Sequence, residues 1–272
     1  MTPAGGTRTK KSLGQHWLAD DRVLARMADA AGIEPGDTVV EVGGGTGLLT
    51  GHLAERADRL IVVEKDDALA AELARAYGRS DAVTIVHADV LETPAAEILR
   101  RGGGAQPYVV VGNLPYNIGT AILRAFLRSP APPRTMVATL QAEVAERIAA
   151  APGRMTYLGI ETQVYAEAAV LFRVPPRAFR PSPKVHSAVV RLEVRQSPAV
   201  AAEDMDDFVE FAHAGFAAPR KRLRNSLAVG LRVKAPEVDD LLAACGIDGG
   251  QRPAMLDLDA WLKLFAAYRK AK

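Results

Sequence analysis

The chain has 272 residues, of which 49% are hydrophobic and 24% charged, and its net charge is +2. That length exceeds what one compact core usually needs, so a catalytic domain with a smaller appended domain is expected, and the composition excludes a wholly disordered or collagen-like chain. The single cysteine (Cys245), five scattered histidines and lack of any run of roughly 18 apolar residues argue against a disulfide framework, a metal site and a membrane span, and point to the cytoplasm.

The N-terminal arm, residues 1–20, is basic: Arg8, Lys10 and Lys11 precede any acid. From Asp37 onward, β-branched runs alternate with Ala/Leu-rich stretches. The order is TVVEV, a helix after Gly47, LIVVE, a helix over 66–77, VTIVHA, YVVVGN, a helix near 120–128, TMVATL and a helix near 141–150. This alternation is the pattern of a doubly wound parallel sheet. Two late strands, AVLFRV and SAVVRLEV, flank PPRAFRPSPK, a loop too short for a crossover helix, so they are expected to pair antiparallel and close the sheet. The expected architecture is α/β, a Rossmann-like class I methyltransferase fold with a mostly parallel doubly wound sheet ending in an antiparallel pair, over residues 1–196.

After Ser197 the β pattern stops. Helices are expected over 204–217, 221–230, 236–245 and 257–270, a small helical domain spanning 197–272. Within it, Arg220, Lys221, Arg222, Arg224, Arg232 and Lys234 lie in a stretch without Asp or Glu, which suggests a polyanionic partner. Solvated charge on exposed helices accounts for each basic cluster equally well when it is judged alone.

The segment Glu41-Val42-Gly43-Gly44-Gly45-Thr46-Gly47 follows a strand and opens a helix, so Gly43 and Gly45 let the backbone turn sharply and approach a ligand closely. Its spacing is not that of dinucleotide binders, and Glu41 would repel a pyrophosphate. Both features favour a ligand without phosphates, such as S-adenosylmethionine. Glu64 ends the second strand, where a carboxylate can accept hydrogen bonds from two ribose hydroxyls, a role that also suits NAD. Asp89, after the third strand, can accept from an adenine amino group, and a helix N-cap is its competing role. Glycine loop, acid and acid at the ends of three successive strands strengthen one another.

The most specific signal is Gly112-Asn113-Leu114-Pro115-Tyr116-Asn117 at the end of the fourth strand. The exocyclic amine of adenine is a poor nucleophile because its lone pair is delocalised into the ring. The Asn113 amide oxygen and the Leu114 carbonyl, both acceptors, can bind the two amine hydrogens and favour a pyramidal nitrogen. Pro115 stiffens the turn and Tyr116 stacks on an extruded base. Positioning rather than a strong base supplies the rate, since a methylated amine sheds its proton readily.

With these residues in place, the chain resembles the KsgA/RsmA family of small-subunit ribosomal RNA adenine dimethyltransferases over nearly its whole length. The matching stretches are Lys11 to Gln15, the GGGTG loop with Leu49-Thr50, Gly112 to Ile118, Phe179 to Val185, Arg220 to Leu227, and Arg252-Pro253. The resemblance implies transfer of four methyl groups from S-adenosylmethionine to two adjacent adenosines in the 3′-terminal hairpin of small-subunit rRNA. The implied partners are that rRNA and the immature small subunit, with the protein a monomer.

The resemblance places cofactor contacts at His16, Leu18, Gly43, Glu64, Asp89 and Asn113, with His16 and Leu18 resting on it alone. It also has Phe179 stacking on the target adenine opposite Tyr116, where a hydrophobic plug for the loop is the competing role. Lys10, Lys11, Lys184, Arg220, Lys221, Arg222 and Arg224 are the candidate RNA contacts. The sequence departs from the family pattern at Gly44, usually Pro, at His16-Trp17, usually Asn-Phe, at Gly119, often Ser, and at Pro219, usually Arg. Rival readings are a large-subunit rRNA adenine dimethyltransferase of the antibiotic-resistance type, disfavoured by Leu114 and RKRLRNSL, and an assembly factor acting mainly by RNA binding.

Overall fold

The computed structural model describes residues 16–271. In one compact unit, formed by the described residues up to Ala145 together with Ala169–Val194, the strands are set by apolar runs. A short strand β1 (Trp17–Leu18) and helix α1 (Asp21–Ala30) lead in, the helix capped by Asp20, whose carboxylate accepts the N–H groups of Arg22 and Val23. Then follow β2 (Thr38–Val42), α2 (Leu48–Ala54), β3 (Arg59–Glu64), α3 (Asp67–Tyr77), β4 (Val83–His87), α4 (Ala95–Gly102), β5 (Tyr108–Asn113), α5 (Gly119–Leu127) and β6 (Thr135–Gln141). All five residues of β2 are buried, as expected of a strand covered on both faces.

Helices α6 (Ala142–Ile148) and α7 (Tyr157–Gln163) come next, followed by β7 (Ala166–Val174), β8 (Phe179–Arg180) and β9 (Ser187–Val194). The main sheet has seven strands in the order β4-β3-β2-β5-β6-β9-β7. The pairs β2–β3, β3–β4, β2–β5 and β5–β6 are parallel, while β9 runs antiparallel to β6. The chain winds outward from β2 to β4 and restarts with β5 on the other side of β2, so the carboxyl ends of β2 and β5 flank the switch point where α/β sheets bind ligands. At the opposite edge Arg134 Nη2 reaches both the Asp37 carboxylate and the Gly32 carbonyl at 2.5 Å, fastening the start of β6 to the loop before β2. Burial raises the Asp37 carboxyl, but the Arg134 hydrogen bond, the Glu34 N–H and the Arg134 charge together outweigh it and leave Asp37 below the ordinary carboxylate range.

The second unit holds Glu146–Ala168 as well as the residues from Arg195 onward, so it is larger than a tail beginning at 197. Backbone bonds explain why 146–168 belongs there. The N–H groups of Gly153 and Met155 both donate to Ala254 O, and Arg195 N–H donates to Tyr165 O. The helix expected near 141–150 stops at Ile148, and α7, which had no counterpart in the expectations, is capped by Thr156. Helices α8 (Met205–Gly215), α9 (Leu223–Leu231), α10 (Ala235–Cys245) and α11 (Leu258–Ala271) stand within two residues of the expected boundaries. Phe208, Phe211, Leu227, Trp261 and Leu264 form their core.

Helices α8 and α9 cross closely because Gly230 has no side chain: a Cβ there would lie 2.0 Å from Ala214 O, a backbone atom that cannot swing aside. Gly230→Ala should therefore destabilise the protein despite adding helix propensity, by roughly 1–3 kcal/mol, the usual cost of overpacking. Thermal melting of the variant beside the parent checks this; an unchanged or higher melting temperature would show that the helices separate freely.

Candidate active site

Nine residues line a cleft at the carboxyl edge of the sheet: His16, Trp17, Gly43, Gly45, Glu64, Asn113, Leu114, Pro115 and Tyr116. The loop after β2 brings in the glycines. Gly43 and Gly45 have φ of 78° and 53°, left-handed values that L side chains rarely adopt, and a Cβ on Gly43 would point into open space where a ligand can lie. Trp17 stands over this loop, its ring 3.5 Å from where a Gly45 Cβ would be.

Glu64 ties the loop to the next turn. One carboxylate oxygen accepts the Gly45 N–H and the other the Asp66 N–H, both at 2.9 Å, and each keeps a further lone pair for a ligand hydroxyl. Asp89 is not among the cleft-lining residues. Its Oδ1 accepts the Leu91 N–H and its Oδ2 lies 2.5 Å from Lys65 Nζ, and the ammonium beside it holds the carboxyl below its ordinary range. Nor does Asp89 cap the following helix, since Pro94 occupies the N-cap of α4. An adenine amine reaching this carboxylate would share it with Lys65.

At the end of β5, Asn113 Nδ2 donates to the His16 carbonyl at 2.9 Å. This fixes the amide orientation and leaves Oδ1 as an acceptor in the cleft. The Pro115 carbonyl accepts both the Ile118 and Gly119 N–H groups, closing the turn that opens α5. Tyr116 is half buried, and its hydroxyl lies 2.6 Å from Ser187 Oγ on β9. Burial raises the Tyr116 phenol, so it stays neutral. Its ring stacks on His16, with centroids 5.6 Å apart and planes 27° from parallel. His16 also hydrogen-bonds the Pro181 carbonyl through Nδ1 at 2.8 Å, so its imidazole serves the protein's own packing.

Two expected site residues lie elsewhere. Phe179 is 2% exposed and belongs to the core cluster, together with Leu18, its partner in the β1–β8 pairing. Its ring is buried with that cluster and does not line the cleft, the placement a plug for the loop would have. Leu18 offers the cleft no side chain, leaving only its backbone for a ligand. The residue that sequence reasoning missed is Trp17, which lies between two named positions but carries no periodic signal of its own.

Among the candidate RNA contacts, Lys184, Arg220, Lys221 and Arg222 are exposed. Arg224 is instead drawn to Asp239, with Nε 2.7 Å from the carboxylate, an ion pair rather than an aligned hydrogen bond. Lys10 and Lys11 lie outside the described residues. From within α9, the buried Ser226 hydroxyl donates to Gly215 O and accepts the Ala218 N–H, holding the start of the basic loop that presents Arg220 to Arg222.

Doubly wound sheet, left-handed glycine loop, strand-end acid and an Asn-Leu-Pro-Tyr turn beside the loop together define an S-adenosylmethionine-dependent methyltransferase. More narrowly, the chain belongs to the ribosomal RNA adenine dimethylase family, whose sequence model matches residues 6–269. It is 39% identical to the ribosomal RNA small subunit methyltransferase A of Dehalococcoides mccartyi over 96% of this chain and 89% of that one. The Geobacter metallireducens protein of that name is also 39% identical, over 96% of each chain. Among solved structures, the 23S rRNA methyltransferase ErmE is similar, with 30% identity, a TM-score of 0.74 and coverage of 92% and 98%. A Plasmodium falciparum dimethyladenosine transferase shares the fold at 22% identity, a TM-score of 0.78 and coverage of 94% and 98%.

Beneath the glycine loop, Glu41 is fully buried and accepts the Thr50 hydroxyl at 2.6 Å on one oxygen, while the other has no partner among the described residues. Burial pushes its carboxyl up to about 8. Glu41 therefore does not confront a ligand as a charge, and the expected repulsion of a pyrophosphate does not arise from it. The cleft still suits a ligand without phosphates, because no Lys or Arg among the described residues lines it. The folded protein holds the Glu41 proton from its ordinary value of 4.5 up to about 8, where the unfolded chain has released it, so stability falls as pH rises through that window. In Glu41→Gln this loss is absent. The melting temperature of the variant relative to the parent should climb from pH 5 to pH 8 and then level, whereas a constant difference would mean that Glu41 is already ionised at pH 5.

Proposed function

We propose that the cleft binds S-adenosylmethionine and that the protein methylates the N6 amines of two adjacent adenosines in the 3′-terminal hairpin of small-subunit rRNA, on the immature subunit. The observation that carries this reading is the Asn113 amide, locked by its bond to the His16 carbonyl with Oδ1 left as an acceptor beside the glycine loop. Relatives named for the small subunit support the substrate.

The cofactor supplies an electrophilic methyl on a sulfonium. Gly43 and Gly45 let the backbone come close to it, and Glu64 retains acceptor capacity for its ribose hydroxyls. Asn113 Oδ1 and the Leu114 carbonyl take the two N6 hydrogens, drawing the nitrogen lone pair out of the ring and toward the methyl. Tyr116, braced by His16 on one side, offers its remaining face to the adenine. As nitrogen bonds to the methyl carbon the carbon–sulfur bond would break and the sulfur leave as a neutral thioether, the now acidic amine releasing one proton to solvent, and a second round with a fresh donor would convert the monomethyl amine to the dimethyl product. The exposed residues Arg220, Lys221 and Arg222 are assigned to RNA phosphates, and catalysis to the unit that holds the cleft, the described residues up to Ala145 with Ala169–Val194. No helix of the described residues is long and apolar enough to cross a membrane.

A large-subunit substrate is the second reading, favoured by the 30% identity to ErmE. Purified protein should move labelled methyl from S-adenosylmethionine onto two adjacent adenosines of immature small subunits; label on large-subunit rRNA alone would overturn the substrate. Asn113→Ala should lower kcat about 100-fold or more, the scale of losing one aimed polar contact at a reacting centre, with S-adenosylmethionine affinity by calorimetry nearly retained. Unchanged turnover would remove Asn113 from the mechanism.

A further inference from the structure

Between Ala168 and Leu192 the sequence contains Arg173, Arg177, Arg180, Lys184 and Arg191 but no aspartate or glutamate. Arg191 is paired with Glu193 and Arg173 is also engaged. Arg177, Arg180 and Lys184 are exposed and have no side-chain partner among the described residues. The residues between them are turned inward: Ala178, Phe179 and Pro183 are buried. On the cleft side the loop is fastened at three points. Ala19 N–H donates to Ala178 O at 2.8 Å, Trp17 pairs with Arg180 in the two-stranded ladder, and His16 Nδ1 bonds Pro181 O at 2.8 Å. Three cations thus stand on a backbone held rigid by an apolar anchor, joined to the same His16-Trp17 segment that lines the cleft.

We propose that Arg177, Arg180 and Lys184 form a phosphate clamp at the rim of the cleft, gripping the RNA strand next to the adenosine being methylated. The proposal rests on the RNA substrate proposed above and adds two arginines and a task to it. An adenine reaching Asn113 must leave its stack, and a strand with an extruded base is flexible. Cations on a preorganised loop hold its phosphates in register without reading sequence, while the buried Phe179 keeps the loop from yielding. Arg177 and Arg180 are three residues apart, at most roughly 10 Å along the chain, a span that lets them meet neighbouring phosphates of one strand.

The test compares the full-length protein with the Arg177→Gln/Arg180→Gln double variant and with Arg177→Lys/Arg180→Lys. Affinity for immature small subunits, which carry the 3′-terminal hairpin, is measured as a function of KCl concentration, alongside methyl-transfer kinetics on them and S-adenosylmethionine affinity. Losing two phosphate contacts on a single strand should make the slope of log affinity against log salt shallower by about 1.4. The glutamine variant should raise KM for RNA about tenfold, roughly one factor of ten per 1.4 kcal/mol of lost contact, leave kcat and cofactor affinity unchanged, and regain the parent slope in the lysine variant. An unchanged slope overturns the clamp, and so does a loss of cofactor affinity, which would make the arginines supports of the cleft. If the parent binds and methylates immature small subunits while the slopes agree, only the clamp falls. If the parent does neither, the substrate reading falls and the clamp with it.

Discussion

A parallel sheet delivers the carboxyl ends of its strands to one edge, and everything in the cleft depends on that constraint. The register Val42 opposite Val63, Glu64 opposite His87 and Glu41 opposite Val111 brings the glycine loop, the strand-end acid and the Asn-Leu-Pro-Tyr turn level with one another. None of these groups is near another in sequence. The buried apolar strands hold that level, and at the far edge the Asp37–Arg134 bridge joins the loop before β2 to the start of β6.

Onto this edge the N-terminal segment adds the closing wall. A single hydrogen bond from Asn113 to the His16 carbonyl links the Asn-Leu-Pro-Tyr turn to it, and the Tyr116–His16 stack and the Pro181 contact extend the link to the loop before β9. The geometry of the cleft is thus set in part by groups that do not line it. Ser187 orients the Tyr116 phenol, Phe179 anchors the rim, and the neutral Glu41 packs beneath the loop through Thr50.

The sheet and the helical tail were legible in the sequence because each rests on local periodicity: β-branched runs such as TVVEV and YVVVGN, and four amphipathic stretches whose observed ends fall within two residues of expectation. The glycine loop and the Asn113 turn were legible because their residue types answer to backbone and hydrogen-bond needs at one spot. What stayed hidden depends on contacts across long separations. The β1–β8 ladder joins two-residue strands more than 160 positions apart, too short to carry a period, and only that pairing turns Phe179 and Leu18 inward. Ion pairing hid in the same way: Lys65 on Asp89 and Asp239 on Arg224 change what those side chains can offer, and no spacing rule announces either. Residues 146–168 were assigned by sequence adjacency, but their backbone bonds run to Ala254 and Arg195.

Trp17 and Trp261 are the only two tryptophans in the chain. Trp261 is sealed among Phe211, Phe216 and Gly215, while Trp17 lies partly buried against the glycine loop at the cleft wall. The two indoles therefore differ sharply in the polarity of their surroundings, and only one sits where a ligand can alter it. The protein carries an intrinsic optical reporter of cleft occupancy, one emitter that senses the ligand and one that serves as an internal reference.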